Sequence, residues 1–448
     1  MNLRRWLTPG IGIKRWLGVV FLGLLLLALA VAHVVRQVTV GLQPGGLAGA
    51  VIDAVTLQFL PYPLRGLIVG ALGTGLVVIG AVRVVRAVTE PLRAAHEEQP
   101  LVEVLYQKRL LARGPRIVAI GGGTGLSAFL RGMKEHTSNL TAIVTVADDG
   151  GSSGALREDL GIPPVGDIRN CIAALADAEP LMRDLLGYRF PAGQADGEPP
   201  AGTAPGGLGG HAIGNLLIAA LTAVQGGDFE EGVRRMNRVL AVRGQVLPVS
   251  PTPITLHART RNGVVVSGQT NVMRTPGIER VWVTPADVAP ARDALAAIAD
   301  AEVIVLGPGS LFTSLLPALL VPGIAEAVAA ASAVRIYVCN VATQAGETAG
   351  YDLADHVEAL TAHTTPGLAD VVLANDRFDA RVPEHWVAES VRLRWPPVGG
   401  AAPVLVTEDI VDHENAHRHD PARLAGAVLR IAERELAARR RTGTARTA

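Results

Sequence analysis

Cysteine is nearly absent: Cys171 and Cys339 are the only two in 448 residues. A disulfide framework or a zinc site needs more, and both thiols read as buried groups of a reducing compartment. Aromatics make up 4% of the chain, which leaves little material for stacking bases of single-stranded nucleic acid. No charge of one sign is in excess, since 41 basic residues meet 41 acidic ones, so no global attraction to nucleic acid is expected. Two familiar phosphate-binding signatures are missing as well. Gly121-Gly122-Gly123-Thr124-Gly125 fails GxGxxG because Leu126 stands where the last glycine belongs, and no GK[S/T] follows it. No histidine–acid or cysteine–histidine constellation stands out, and no internal repeat is visible.

What is present centres on Ile117 to Asn170. The apolar run Ile117-Val118-Ala119-Ile120 ends in the glycines, and Leu126, Phe129, Leu130 and Met133 follow at helical spacing. That pattern predicts a buried strand (117–120), a tight turn and a helix over 125–135. Backbone amides at such a turn, backed by the helix dipole, suit a phosphate. A second strand, 140–147, empties into Asp148-Asp149-Gly150-Gly151-Ser152-Ser153-Gly154, read as a polar pocket loop. An acid at the end of the second strand of such a unit typically holds ribose hydroxyls. Asp167 precedes an apolar-periodic helix near 167–176, where it either caps the helix or faces the ligand with Arg169 and Asn170.

Six stretches in unbroken order carry a resemblance: GGGTGLS, TVADDGGSSG, GDIRN, HAIGN from His211 to Asn215, LGPGSLFTSLLP from Leu306, and CNVATQAGET from Cys339. Together, across about Arg116 to Arg423, the chain resembles the YvcK/CofD family. It is more similar to the YvcK branch, the gluconeogenesis factors, than to the 2-phospho-L-lactate transferases. Val165, Ala345 and Phe312 depart from the residues usual in those motifs and touch loop stiffness and one aromatic hydroxyl. The resemblance implies binding of a nucleotide sugar of the UDP-N-acetylglucosamine class, with His211 and Asn215 in the pocket. It also implies an influence on cell-wall precursor supply and cell shape, with a cell-wall synthesis partner. The transferase branch would instead move a phospholactyl group to a deazaflavin, with a divalent cation on Asp148, Asp149 or both. A membrane scaffold with a vestigial pocket is the third class.

Ahead of this domain, basic residues Arg4, Arg5, Lys14 and Arg15 precede the uncharged run 16–35, and a second apolar run covers 66–82. The first reaches bilayer length and the second lies near the lower limit for a span, and Arg83, Arg86, Arg93, Lys108 and Arg109 follow it. Basic residues outside both runs predict a transmembrane hairpin (1–90) with both termini in the cytoplasm and the globular domain there too. Gly66 and Gly70 form a GxxxG, a pointer to a homodimer. Residues 91–115 read as a linker.

Alternating strands and helices over 116–435 predict an α/β fold, a Rossmann-like three-layer αβα parallel sheet. A mobile loop is expected over 191–210 and a small β-rich insertion over about 247–285. Strand 303–306 leads into a second glycine turn with Gly307, Gly309 and Ser310. Strand 336–339 ends near Asn340, Thr343, Gln344 and Glu347, adding polar groups to the same sheet edge, and a further strand is expected at 370–374. Residues 436–448 read as a disordered basic tail.

Overall fold

The computed structural model describes residues 109–177, 179–191, 208–382, 388–395 and 403–445, with positions 24, 28, 31, 61 and 64 ahead of them. Of the expected spans 16–35 and 66–82 all but positions 24, 28 and 31, and of the expected loop 191–210 all but 191 and 208–210, lie outside the described residues. Among the described residues no single helix is long and apolar enough to cross a membrane. One bent pair, Leu311–Leu319 with Ile324–Ala330, passes on length and composition.

The chain divides at Leu110/Leu111, and the unit from Leu111 onward carries the α/β fold. It begins earlier than the sequence suggests. Leu111 is buried, and its carbonyl accepts hydrogen bonds from the amides of Gly114 (3.1 Å) and Ser138 (3.0 Å), so residues 111–115 belong to the domain rather than to a linker.

The core is β1 (Ile117–Gly121), β2 (Leu140–Val144), β3 (Gln245–Pro248), β7 (Val303–Leu306), β8 (Val334–Val338), β9 (Val371–Asn375) and β10 (Val404–Glu408). They form one seven-stranded sheet in the order β10-β9-β8-β7-β1-β2-β3, with every pair parallel. Such a sheet is covered on both faces, so its strands read as continuous apolar runs, and β1, β2, β7 and β9 are buried end to end. The helices in chain order are α1 (Gly123–Met133), α2 (Gly151–Leu160), α3 (Gly166–Leu175), α4 (Glu179–Gly187), α5 (Ile213–Val224) and α6 (Phe229–Val239). They continue with α7 (Gln269–Met273), α8 (Arg292–Asp300), α9 (Leu311–Leu319, opening with a π turn), α10 (Ile324–Ala330), α11 (Leu353–His363) and α12 (Pro421–Ala445). Helix α1 buries Leu126, Phe129, Leu130 and Met133 completely, each worth about 1.5–3 kcal/mol relative to exposure. A Cβ on Gly132 would sit 1.9 Å from the Pro421 carbonyl, so α1 lies directly on the start of α12.

Between β3 and β7, β4 (Thr255–Thr260), β5 (Val265–Ser267) and β6 (Ile278–Thr284) make a separate antiparallel sheet in the order β5-β4-β6. This is the expected insertion with a later start, because residues 245–248 are the edge strand of the main sheet. A hairpin, β11 (Val411–Asp412) and β12 (Asn415–His419), precedes α12. Two further expectations change. Gly151-Ser152-Ser153-Gly154 opens α2 instead of forming a loop; a Cβ on Gly154 would lie 2.2 Å from the Asp149 carbonyl, a closeness only glycine allows. The basic tail continues α12 through Ala445, where Arg439 donates to Asp370 at 2.9 Å.

Candidate functional site

Strand β1 lies inside the sheet, between β7 and β2. The chain adds β2 and β3 on one side of it, then crosses to add β7 to β10 on the other. Ligands of doubly wound sheets bind where the order reverses, outside the carboxyl ends of the two strands that flank the reversal. Here those ends are two glycine turns. Gly123 (φ +68°) and Gly307 (φ +82°) take left-handed backbone conformations that side chains disfavour. The turns touch each other: a Cβ on Gly125 would lie 3.1 Å from the Gly309 amide nitrogen and the Pro308 carbonyl, and one on Gly309 would lie 3.0 Å from the Gly122 carbonyl.

A cavity of about 1050 Å³ opens at this seam. Its floor is Gly122, Gly123, Thr124 and Gly125 from the first turn and Gly309 and Ser310 from the second. Asn340, Thr343 and Gln344 form one wall, and Arg169 and Asn170 another. Gln344 Nε2 donates to Ser310 Oγ at 2.7 Å, while its Oε1 is buried with no partner. Thr343 is fixed by the 388–390 segment, its amide donating to the Glu389 carbonyl at 2.8 Å. The N-cap of α1, Gly122, carries no side chain, and of the first amides of the helix that of Gly123 bonds the Asp167 carboxyl. The remaining amides and the dipole behind them make an anion cradle.

Other residues singled out in the sequence stand behind these walls. Asn215 Oδ1 accepts from Arg169 Nη1 at 3.1 Å, and Asn170 Oδ1 accepts from Nη2 at 2.8 Å. Asn215 Nδ2 donates to Ser152 Oγ at 3.0 Å, and Ser152 Oγ lies 3.2 Å from His211 Nδ1. His211, Ser152 and Asn215 therefore form a relay that aims Arg169. Burial foremost lowers the Arg169 pKa, helped by Arg189 and opposed by Asp167 and Asp148.

Asp167 caps no turn of its own helix. A Cβ on Gly122 would meet its Oδ2 at 2.6 Å, so the carboxyl lies against the first glycine turn. Burial, then the charge of Asp148, raises its pKa to about 6, against the opposing bond from the Gly123 amide and the charge of Arg169. Ser153 is buried against Gly166, where a Cβ would come within 2.6 Å of its Oγ.

Asp149 turns to the insertion: its Oδ1 accepts from Thr270 N (2.9 Å) and Thr270 Oγ1 (2.7 Å) at α7. Asp148 Oδ1 accepts from Gly150 N at 3.0 Å, and its Oδ2 faces Gly166. Glu347 is buried, accepting from Phe312 N at 3.2 Å and from Thr313 Oγ1, where it caps the π turn of α9. Burial raises its pKa to about 7, against those same hydrogen bonds. Gly121 and Gly307 complete the turns from behind.

Asp148 and Asp149 do not converge on one cation cage made by the protein alone. The two carboxylates serve different elements, and among the described residues no group of three His, Cys, Asp or Glu could hold a metal ion.

Sequence reading missed two parts of the site. Met273 of α7 lines the cavity beside Ala345, and a Cβ on Gly346 would lie 1.8 Å from the Met273 carbonyl. The far wall is Asp412, His417, Arg418, His419 and Pro421, from the β11–β12 hairpin and the start of α12. Only the residue types of His417-Arg418-His419-Asp420 could have drawn attention to it. Both ring nitrogens of His419 are buried with no hydrogen-bond partner, and burial lowers its pKa to about 4. An unsatisfied buried polar group costs about 1–3 kcal/mol.

A family described as 2-phospho-L-lactate transferase CofD matches residues 117–394. A relative from Nostoc sp. is 45% identical over 367 residues, 80% of this chain and 75% of that protein. The gluconeogenesis factor of Bacillus subtilis is 42% identical, over 71% of this chain and 98% of its own. A crystal structure of a UPF0052 family member from Bacillus halodurans shares 41% identity with a TM-score of 0.63, covering 71% of this chain and 99% of that one. The chain therefore belongs to the CofD/YvcK family, alongside the gluconeogenesis factors.

Proposed function

We propose that this chain is a regulator that binds a nucleotide sugar such as UDP-N-acetylglucosamine and acts on the flow of carbon into cell-wall synthesis and cell shape. One observation carries the reading: two abutting glycine turns offer backbone amides to a diphosphate at the floor of a cavity wide enough for a base and a sugar. Asp149 and Glu347 are occupied in holding α7 and the π turn, which fits a binding pocket better than a reaction centre. The relatives named gluconeogenesis factor support the same assignment.

Two uncharged runs, 16–35 and 66–82, would tether this domain to the cytoplasmic face of a membrane, with GxxxG packing joining two copies. A reporter fused after Ala448 should be active only in the cytoplasm, and activity that depends on export would refute the tether's orientation.

Calorimetric titration of the full-length protein in detergent micelles, with and without chelator, tests the binding. Saturable binding of UDP-N-acetylglucosamine that chelator leaves unchanged is expected, with no product when a phospholactyl donor and a deazaflavin are supplied. Binding only with magnesium, or a phospholactyl-deazaflavin product, would overturn the regulator in favour of a transferase.

A further inference from the structure

We propose that Arg131, Arg183 and Arg418 form a second anion subsite of the cavity, one that takes a carboxylate carried by the ligand's sugar. The inference rests on the nucleotide-sugar reading and narrows the ligand to the sugar acids. Four arginines line the cavity, Arg131, Arg169, Arg183 and Arg418, against a single carboxylate, that of Asp412. None of the four is buried: Arg183 and Arg418 are exposed, and Arg131 and Arg169 are half-buried. A cavity lined mostly by one sign of charge concentrates ions of the other.

The arginines come from different parts of the lining. Thr124, Ala128 and Arg131 follow one another at helical spacing on α1, so the cavity runs along one face of that helix. Seven residues place Arg131 about 10 Å further along the axis than Thr124 of the first glycine turn. That end of α1 packs on β12 and on the start of α12: a Cβ on Gly132 would lie 1.9 Å from the carbonyl of Pro421, three residues after Arg418. Arg183 stands on α4, one turn ahead of Leu186, which lies by Arg169 across Gly214. Its carboxylate neighbour, Asp184, is 3.7 Å away with both side chains more than half exposed, a pair that holds it weakly. A diphosphate on the glycine turns has Arg169 and the backbone amides as partners and leaves the other three guanidiniums unmatched. A neutral sugar would bring them only hydroxyls. A carboxylate brings two acceptor oxygens in one plane, the geometry that a guanidinium binds bidentately.

Two matched pairs of ligands, titrated against the full-length protein in micelles, test the subsite. UDP-glucuronate and UDP-glucose differ only in a carboxylate that replaces a hydroxymethyl group. UDP-N-acetylmuramate and UDP-N-acetylglucosamine differ only in an added lactyl ether, which carries its carboxylate further out. In at least one pair the acid should bind wild type fivefold or more tightly than its neutral counterpart. That preference should fall below twofold in Arg183→Gln/Arg418→Gln, whose two exposed positions leave the core intact, with thermal melting of the ligand-free variant as the check on its fold. Acids that bind no more tightly than their neutral counterparts in either pair would overturn the subsite, whether or not the variant folds. A preference that survives in the folded variant would overturn it as well. Both results leave the nucleotide-sugar reading standing, because the neutral ligands still bind. Wild-type protein that binds none of the four would refute that reading itself, and the subsite with it.

Discussion

Replacing Asp149 by alanine separates a structural tie from a ligand contact. Its Oδ1 accepts two hydrogen bonds, from Thr270 N at 2.9 Å and Thr270 Oγ1 at 2.7 Å, and these hold α7 of the insertion to the end of β2. Bonds to a charged acceptor contribute about 1.5–3 kcal/mol each; two sharing one half-hydrated oxygen come to about 2–4 kcal/mol together. For a domain of this size each kcal/mol moves the midpoint by about 2 °C, so Asp149→Ala should melt roughly 4–8 °C below wild type without ligand. Thr270→Val keeps the amide bond and loses the hydroxyl, and should show about half that shift. Asp149 does not line the cavity, so affinity for UDP-N-acetylglucosamine should change less than threefold. Scanning calorimetry of ligand-free protein and titration of the same samples provide both numbers. An unchanged melting point with a tenfold or greater loss of affinity would refute the tie and return Asp149 to the ribose.

Two more predictions concern stability. Glu347 has its pKa raised from 4.5 to about 7 by burial, so the unfolded chain gives up this proton first. Its stabilisation of the fold is present below about pH 4.5 and is lost as pH rises toward 7, a change on the order of 2–3 kcal/mol between pH 5 and 8. Asp167, raised to about 6, acts in the same direction. Urea unfolding across that range should lose most of its slope in Glu347→Gln, and an unaltered slope would contradict the assignment. A fragment starting at Leu111 should unfold cooperatively without detergent, whereas one starting at Gly114 should be about 2–4 kcal/mol less stable. It loses the buried Leu111 side chain and the acceptor for the Ser138 amide. Equal stability of the two fragments would place the domain boundary nearer Ile117.

The central strands were legible because a parallel sheet covered on both faces leaves unbroken apolar runs, as at Ile117 to Ile120 and Val303 to Leu306. Edge strands were not. Gln245–Pro248 is four residues ending in proline, and Val404–Glu408 has no fully buried residue, so neither carries that signature. Helix α2 was hidden by its opening Gly-Ser-Ser-Gly, a composition that reads as a loop until Gly154 is seen against the Asp149 carbonyl. The glycine turns of the site were visible since their function is local to the backbone. The partners of the polar residues were not, because Asp149 meets Thr270, and Glu347 meets Phe312 and Thr313, only through tertiary folding. The far wall lies almost 300 residues downstream of the first glycine turn, in a hairpin whose sequence names no chemistry of its own.

The claim on which the account stands is that the seam between the two glycine turns holds the ligand. Gly125→Val tests it most directly, because the added Cβ would lie 3.1 Å from the Gly309 amide and the Pro308 carbonyl, and its methyl groups would crowd the cradle. Spreading the turns by a few tenths of an ångström is an overpacking cost of about 1–3 kcal/mol, which leaves the domain folded. Titrated with UDP-N-acetylglucosamine beside wild type, the folded variant should bind at least thirtyfold more weakly. Wild-type affinity in a variant that melts cooperatively would place the ligand elsewhere and contradict the account.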